Sequence, residues 1–306
     1  MTEPALILKD VSKTINHTPI VQSISFDVRK GEIFGLLGPN GSGKTTIFRM
    51  IVQLIKKTEG AISFRGRPDS DFEYFMRHIG VIIEGPDMYP NMTALQNLKY
   101  FTKLRSTSLR TDDLMNTLAK VGLEQAARKK VKHFSLGMKQ RLGLAYSLLH
   151  NPGLLILDEP MNGLDPKGMK ELRTILSDLS KQGVSILLSS HLLSEMEEIC
   201  DRVAYIKKGR ILGIEDMKNR HDLGQKKLFT VTVDHPARAK EILEQDGILQ
   251  VQQKDSRIIE LEAEEDTIPY VIKSLAEKEI LISRVSARTL SLEEKYMMIT
   301  DQEDAV

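Results

Sequence analysis

The run Gly38-Pro39-Asn40-Gly41-Ser42-Gly43-Lys44-Thr45 limits what this chain can fold into more than any other feature. It follows the pattern G-x-x-x-x-G-K-[ST], with a strand-length apolar stretch before it (Ile33–Leu37) and a helical stretch after it (Thr45–Ile55). Glycines let the backbone wrap until its N–H groups converge on phosphate oxygens, and the following helix adds the positive end of its dipole. In such a loop Lys44 reaches the β- and γ-phosphates of a nucleotide and the Thr45 hydroxyl ligates Mg²⁺; Thr46 continues the same helix end. Loops of this kind sit at the carboxyl edge of a parallel sheet.

The rest of the chain supplies that sheet. Short strands are expected at Ala5–Leu8 and Ile20–Val28, the second with alternating Ile24, Phe26 and Val28, and further strands at Ala61–Phe64 and Ile79–Ile83. From about 85 to 150 the texture turns helical: Thr93–Leu104, Asp112–Val121 and Leu136–Leu149 carry apolar residues at helical spacing. Alternation then returns, with strands Leu154–Leu157, Ser185–Ser189 and Val203–Lys207 separated by helices Lys167–Ser180 and Leu193–Cys200. Strands alternating with helices predict a largely parallel α/β sheet, here interrupted by an inserted helical subdomain. The expected domains are residues 1–216, a polar linker over 217–226, and an accessory module over 227–306. That module reads strand–helix–strand–strand–helix–strand, the order of a small ferredoxin-like α+β fold, with a final helix near Leu292–Ile299.

A second motif completes the first. Leu154-Leu155-Ile156-Leu157 is an apolar strand ending in Asp158-Glu159, which places two carboxylates at the sheet edge. Asp158 suits Mg²⁺ coordination, and Glu159 suits a general base that polarises an attacking water. An apolar strand ending in acids is commonplace alone; paired with a phosphate loop it is the other half of a nucleotide-hydrolysing site.

Composition narrows the partners. Lys and Arg (43) nearly balance Asp and Glu (42), so the basic excess of a nucleic-acid binder is missing. The single cysteine, Cys200, excludes an intrachain disulfide and reads as a small buried hydrophobe. No stretch approaches the ~20 apolar residues of a membrane span. The start Met1-Thr2-Glu3-Pro4 has no secretory character, so a cytoplasmic protein is expected, with any membrane role borrowed from a partner.

With these motifs in view, Phe134-Ser135-Leu136-Gly137-Met138-Lys139-Gln140-Arg141 resembles the signature segment of ABC ATPases. Asn162-Gly163-Leu164-Asp165 resembles the family's D-loop, and His191 its switch histidine. The resemblance covers about residues 5–215 and implies a P-loop NTPase fold binding ATP and Mg²⁺. It implies ATP contacts from Gly38, Pro39, Asn40, Gly41, Ser42, Gly43, Lys44, Thr45 and Thr46, with His191 near the γ-phosphate. It further implies a head-to-tail homodimer in which Ser135, Leu136, Gly137 and Met138 close on the ATP of the opposite subunit, with Asp165 at the interface. The physical reading stands beside it: Ser135 is a good N-cap, so the chain carries a second phosphate-seeking helix end.

Two departures from the family pattern matter. Relatives mostly place Gln where this chain has Glu84; a carboxylate there can still ligate Mg²⁺ or hold water, so Glu84 joins Glu159 and His191 as a catalytic candidate and Thr45 and Asp158 as a metal candidate. Together with Pro86, Tyr89, Met92-Thr93-Ala94, Asn97-Leu98, and Leu136 and Met138 in the signature, Glu84 resembles the bacitracin- and lantibiotic-type subgroup. Those subunits power exporters of antimicrobial peptides. The second departure concerns adenine: no aromatic residue lies between Met1 and Phe26, so either Ile15 packs on the base or His17 stacks on it. The resulting expectation is an ATPase subunit, peripheral on the cytoplasmic face of the membrane, that drives a separate transmembrane permease. The alternative is a soluble ABC ATPase of ribosome or DNA-repair type; ribosomal relatives carry two cassettes in one chain and repair relatives a long coiled coil, and neither feature is present. For the accessory module, dimer support, permease contact and ligand sensing remain open.

Overall fold

The computed structural model describes residues 4–85, 87–104, 109–217, 227–247 and 251–288. The chain divides into two compact units, Met1–Met217 and Lys218–Val306.

The first unit opens with a long hairpin, β1 (Pro4–Ile15) and β2 (Thr18–Arg29). Next come β3 (Ile33–Leu37), α1 (Lys44–Ile51), β4 (Glu59–Phe64), β5 (Arg67–Pro68), α2 (Phe72–His78) and β6 (Ile79–Ile82). The helical block holds α3 (Ala94–Leu104), α4 (Thr111–Lys120) and α5 (Leu136–Leu148), between β6 and β7 (Leu154–Leu157). The unit ends with α6 (Pro166–Lys181), β8 (Ser185–Ser190), α7 (Leu193–Ile199), β9 (Arg202–Lys207) and β10 (Arg210–Asp216).

The strands form two sheets, an antiparallel β2-β1-β4-β5 and a six-stranded β10-β9-β3-β8-β7-β6. In the latter, β9, β3, β8, β7 and β6 run parallel and β10 returns antiparallel at the edge. Every residue of β3, β7 and β8 is buried, as strands covered on both faces must be. Between the sheets Leu6, Leu8, Ile24, Phe26, Phe34, Leu36, Phe48 and Phe64 share one core, with the Phe26 and Phe34 rings stacked 5.2 Å apart. Helix α1 buries Ile47, Phe48, Met50 and Ile51 in it, which fixes the helix end that faces the glycine loop.

Several expected elements come out differently, each for a local reason. The first strand runs to Ile15 rather than ending at Leu8. Bulges beyond Leu8 break its two-residue period, and the Ser12 and Ser25 hydroxyls accept the Ser23 and Asp10 N–H groups that the ladder misses. The helix expected to reach Ile55 stops at Ile51, and Gln53 turns with φ 59°. Helix α2, capped by Asp71, and edge strand β10 were not expected at all.

The second unit contains β11 (Lys227–Val233), α8 (Pro236–Gln245), β12 (Val251–Asp255), β13 (Ile258–Ala263), α9 (Ile268–Glu277) and β14 (Ile282–Arg288). Its sheet has the order β12-β13-β11-β14 with all neighbours antiparallel, the ferredoxin-like arrangement. Phe229, Val231, Leu243, Ile259, Leu261, Val271 and Leu275 form a core of its own. The helix expected at Leu292–Ile299 lies outside the described residues.

Candidate functional site

The glycine loop leaves the carboxyl end of β3 between its neighbours β8 and β9 and enters α1 at Lys44. Backbone geometry demands the two outer glycines. A Cβ at Gly38 would lie 2.2 Å from the Ile206 carbonyl oxygen, and Gly43 caps α1 with φ 108°. Gly43 offers no capping side chain, so the first N–H groups of α1, at Lys44, Thr45 and Thr46, have no intrahelical acceptor and face the loop. Inside this loop Lys44 is 5% exposed, its Nζ donating to Gly38 O (2.7 Å) and Pro39 O (3.2 Å). Burial lowers the Lys44 pKa, and the Glu159 and Asp158 carboxylates pull it back up.

Opposite the loop, the end of β7 delivers both carboxylates to one place. Thr45 Oγ1 donates to Asp158 Oδ2 at 2.7 Å, and Glu159 Oε1 is 3.6 Å from Lys44 Nζ. Successive residues of a strand point to opposite faces. Here Glu159 takes φ 44°, a left-handed conformation that costs about 1–3 kcal/mol for a non-glycine residue, and so both acids end on the loop side. That turn is held from two directions: Glu159 N donates to Ser189 Oγ (2.9 Å), and Asn162 N donates to Glu159 O (3.1 Å). Ser189 Oγ in turn donates to Asp158 Oδ1 at 2.6 Å. Beyond it, His191 Nδ1 lies 2.9 Å from Glu159 Oε2. A hydrogen-bonded line therefore runs Thr45–Asp158–Ser189–Glu159–His191 beside the buried ammonium group.

The donor set fits a hard cation. The Thr45 hydroxyl and Asp158 carboxylate are adjacent oxygens, and Mg²⁺ is commonly held by one or two protein oxygens plus phosphate and water. Among the described residues no group of three His, Cys, Asp or Glu converges as a self-sufficient metal cage.

The other candidates fall elsewhere. Glu84 stands apart from this line: its carboxylate, 68% exposed, pairs with Arg49 on the far turn of α1, at a backbone φ of 62°. Ser135 caps α5, its Oγ accepting Met138 N at 3.2 Å, while Leu136 is 48% exposed. Asp165 caps α6 by accepting Gly168 N at 2.9 Å, with Pro166 following. Ile15 is 44% exposed at the tip of the β1–β2 hairpin, where Asn16 and His17 form the two-residue turn with φ 46° and 63°. Pro39, Asn40 and Gly41 lie exposed on the outer arc of the loop.

Sequence reasoning passed over Ser189, Ser190, Glu195 and Arg49. A signal for the first two existed: two hydroxyls close an otherwise apolar strand, Ile186-Leu187-Leu188-Ser189-Ser190. For Glu195 and Arg49 there was none, since an acid or an arginine on a short helix reads as a solvated face.

A family model described as "ABC transporter" matches residues 21–162, and a shorter match over 130–197 is to "AAA domain, putative AbiEii toxin, Type IV TA system". An uncharacterized ABC transporter ATP-binding protein of Bacillus subtilis is 38% identical over 301 residues, 97% of this chain and 96% of that protein. The bacitracin transport ATP-binding protein of Enterococcus faecalis is 34% identical over 299 residues, 94% of each chain. The lantibiotic transport ATP-binding protein of Streptococcus pyogenes is 43% identical over 207 residues, 68% of this chain and 89% of that one. Among solved structures, cbiO1 of Clostridium perfringens, described as part of the ABC transporter complex cbiONQ, superposes with a TM-score of 0.65 at 26% identity, covering 71% of this chain and 90% of that chain.

Proposed function

On the premise that this chain belongs to the ABC transporter family, as an ATP-binding subunit with ATPase activity, we propose that it powers export of antimicrobial peptides or similar amphipathic cargo through a separate membrane permease. The observation that carries the catalytic part is the line Thr45–Asp158–Ser189–Glu159–His191 beside Lys44. The loop amides and Lys44 would bind the phosphates, and Thr45 and Asp158 would hold Mg²⁺, which when bound would supply positive charge beside the phosphate oxygens. Glu159 accepts the proton of the attacking water, and His191, bonded to Glu159, reaches the γ-phosphate. Glu84 is an auxiliary water or metal contact in this reading, and it must exchange its Arg49 partner to act.

A second copy completes the site head to tail. Helix α5 offers a capped positive end at Ser135, and the glycine after it supports close approach from outside. A Cβ at Gly137 would meet nothing nearer than Leu164 at 3.7 Å, so no contact among the described residues requires glycine there. Leu136, Met138 and Asp165 line the same approach, and Ile15 or His17 takes the adenine.

The permease is proposed because no helix among the described residues is long and apolar enough to cross a membrane, while the relatives named above are transport proteins. An apolar groove of about 210 Å³, lined by Val52, Leu54, Met76, Val81 and Tyr146, supports a helical docking partner, with Leu54 67% and nearby Phe72 52% exposed. The relatives that transport bacitracin or a lantibiotic support the cargo class, and the subunit then sits peripherally on the cytoplasmic face. No nucleic-acid role is included.

The test is Glu159→Gln. It should bind Mg–ATP with near-normal affinity, lose turnover by about a hundredfold or more, and accumulate as a nucleotide-trapped dimer on size exclusion. Normal phosphate release from this variant would remove Glu159 from the base role.

A further inference from the structure

Strand β8 ends in two serines whose side chains point to opposite faces. Ser189 serves the catalytic acids. Ser190 points into the protein, where its Oγ donates to Glu195 Oε2 at 2.6 Å, both groups buried. The same Ser190 Oγ accepts the Leu192 N–H at 2.9 Å. The Ser190 carbonyl accepts the N–H of Gly38, the first glycine of the phosphate loop, at 3.3 Å. The three-residue turn Ser190–His191–Leu192 is therefore tied down on both sides of His191. His191 itself is about a third exposed, and its ring bonds only to Glu159 among the described residues.

Glu195 is 7% exposed, and its second oxygen, Oε1, is buried with no hydrogen-bond partner among the described residues. A buried carboxylate with one oxygen unmet is expensive, and an apolar residue of similar size would cost the fold less. Its neighbours on the sheet side, Met196 and Cys200, are buried apolar residues packed under Gly35, so nothing there calls for an acid. What the carboxylate does satisfy is the hydroxyl that holds the histidine turn.

We infer that Glu195 is a positioning residue for ATP hydrolysis. Through Ser190 it fixes the turn that carries His191, and so holds the imidazole against Glu159 and in register with the start of the phosphate loop. The inference rests on reading Glu159 and His191 as the catalytic pair. Neither Glu195 nor Ser190 touches substrate, and each acts only by setting where the ring stands. A ring displaced by an ångström loses alignment with the γ-phosphate, which can cost up to about a hundredfold in rate.

Steady-state ATPase kinetics of the full chain test this, with Glu195→Ala, Ser190→Ala, Glu195→Gln and His191→Ala made singly and in combination. Glu195→Ala and Ser190→Ala should each lower kcat by about ten- to a hundredfold, with KM for Mg–ATP changed by no more than about twofold. The two together should lose no more than either alone, because they cut one chain of contacts. Glu195→Gln keeps an oxygen acceptor for Ser190 and should recover most of the rate. In the His191→Ala background neither change should lower kcat further. A second full loss on top of His191→Ala would overturn the inference, as would normal kcat in folded Glu195→Ala and Ser190→Ala. Should His191→Ala alone turn over normally, the catalytic pair fails and this inference with it. That result is separable from a defective His191→Ala beside silent Glu195 and Ser190 variants.

Discussion

At the scale of single residues, four charged side chains, Glu32, Lys44, Glu195 and Arg202, are buried among the described residues. Glu32 is 5% exposed at the start of β3, its carboxylate accepting Arg29 N at 2.6 Å and meeting Arg202 at 3.3 Å. Burial raises its pKa above 4.5, against the lowering pull of the Arg29 N–H and the Arg202 guanidinium. The sign follows from linkage. With the folded value raised, the folded protein holds this proton at pH values where the unfolded chain has released it. The stabilisation is complete below 4.5 and is lost as pH rises through the folded value. Denaturant titrations at a series of pH values should therefore show wild-type stability declining, relative to Glu32→Gln, as pH rises from about 4.5 towards neutrality. Parallel pH profiles for the two proteins would contradict the raised value. Lys44 is the opposite case at the site: burial lowers its pKa and the two acids limit the fall, so the loop and the carboxylates depend on each other.

At the scale of elements, helix ends and strand ends do the positioning. Helix α1 presents uncapped amides because Gly43 precedes it; α5 and α6 are capped by Ser135 and Asp165. Asp165→Ala should destabilise the first unit by about 1 kcal/mol through loss of the α6 cap, measured by urea denaturation of the nucleotide-free protein. An unchanged midpoint would show that the bond to Gly168 contributes nothing net. Much of this was legible in the sequence. The strand at Leu154–Leu157 has the expected bounds, and the helix expected at Lys167–Ser180 runs from Pro166 to Lys181, because each has one unbroken period and a clear punctuating residue. The elements that sequence reasoning missed lack one or the other. Helix α2 is seven residues with a single buried side chain, Phe75, and β10 alternates too weakly to stand out from a polar connection.

At the scale of the whole molecule, each unit has its own core. Leu261, fully buried on β13, belongs only to the second. Leu261→Ala should weaken that unit by about 2–5 kcal/mol while leaving the unfolding of the first unit in place. Hydrogen exchange resolved by segment would show it: faster exchange over β11–β14 and unchanged protection in β3, β7 and β8. Equal acceleration in both would mean that the units unfold as one. What the amino-acid sequence determined alone is whatever depends on neighbours along the chain: the glycine spacing of the loop, the two acids ending an apolar strand, the serine before α5, and the alternation that calls for a parallel sheet. Tertiary structure decided which distant groups meet. It set Glu84 against Arg49 instead of Asp158, gave Glu159 the backbone turn that brings both acids to one side, and chose Ser189 and Ser190 to hold the acids and the histidine turn. Apart from Ser190, whose partners Leu192 and Glu195 are two and five residues away, those choices join groups from 30 to more than 100 residues apart, as Thr45 and Asp158 are, and no local periodicity encodes which side chain a distant element will offer.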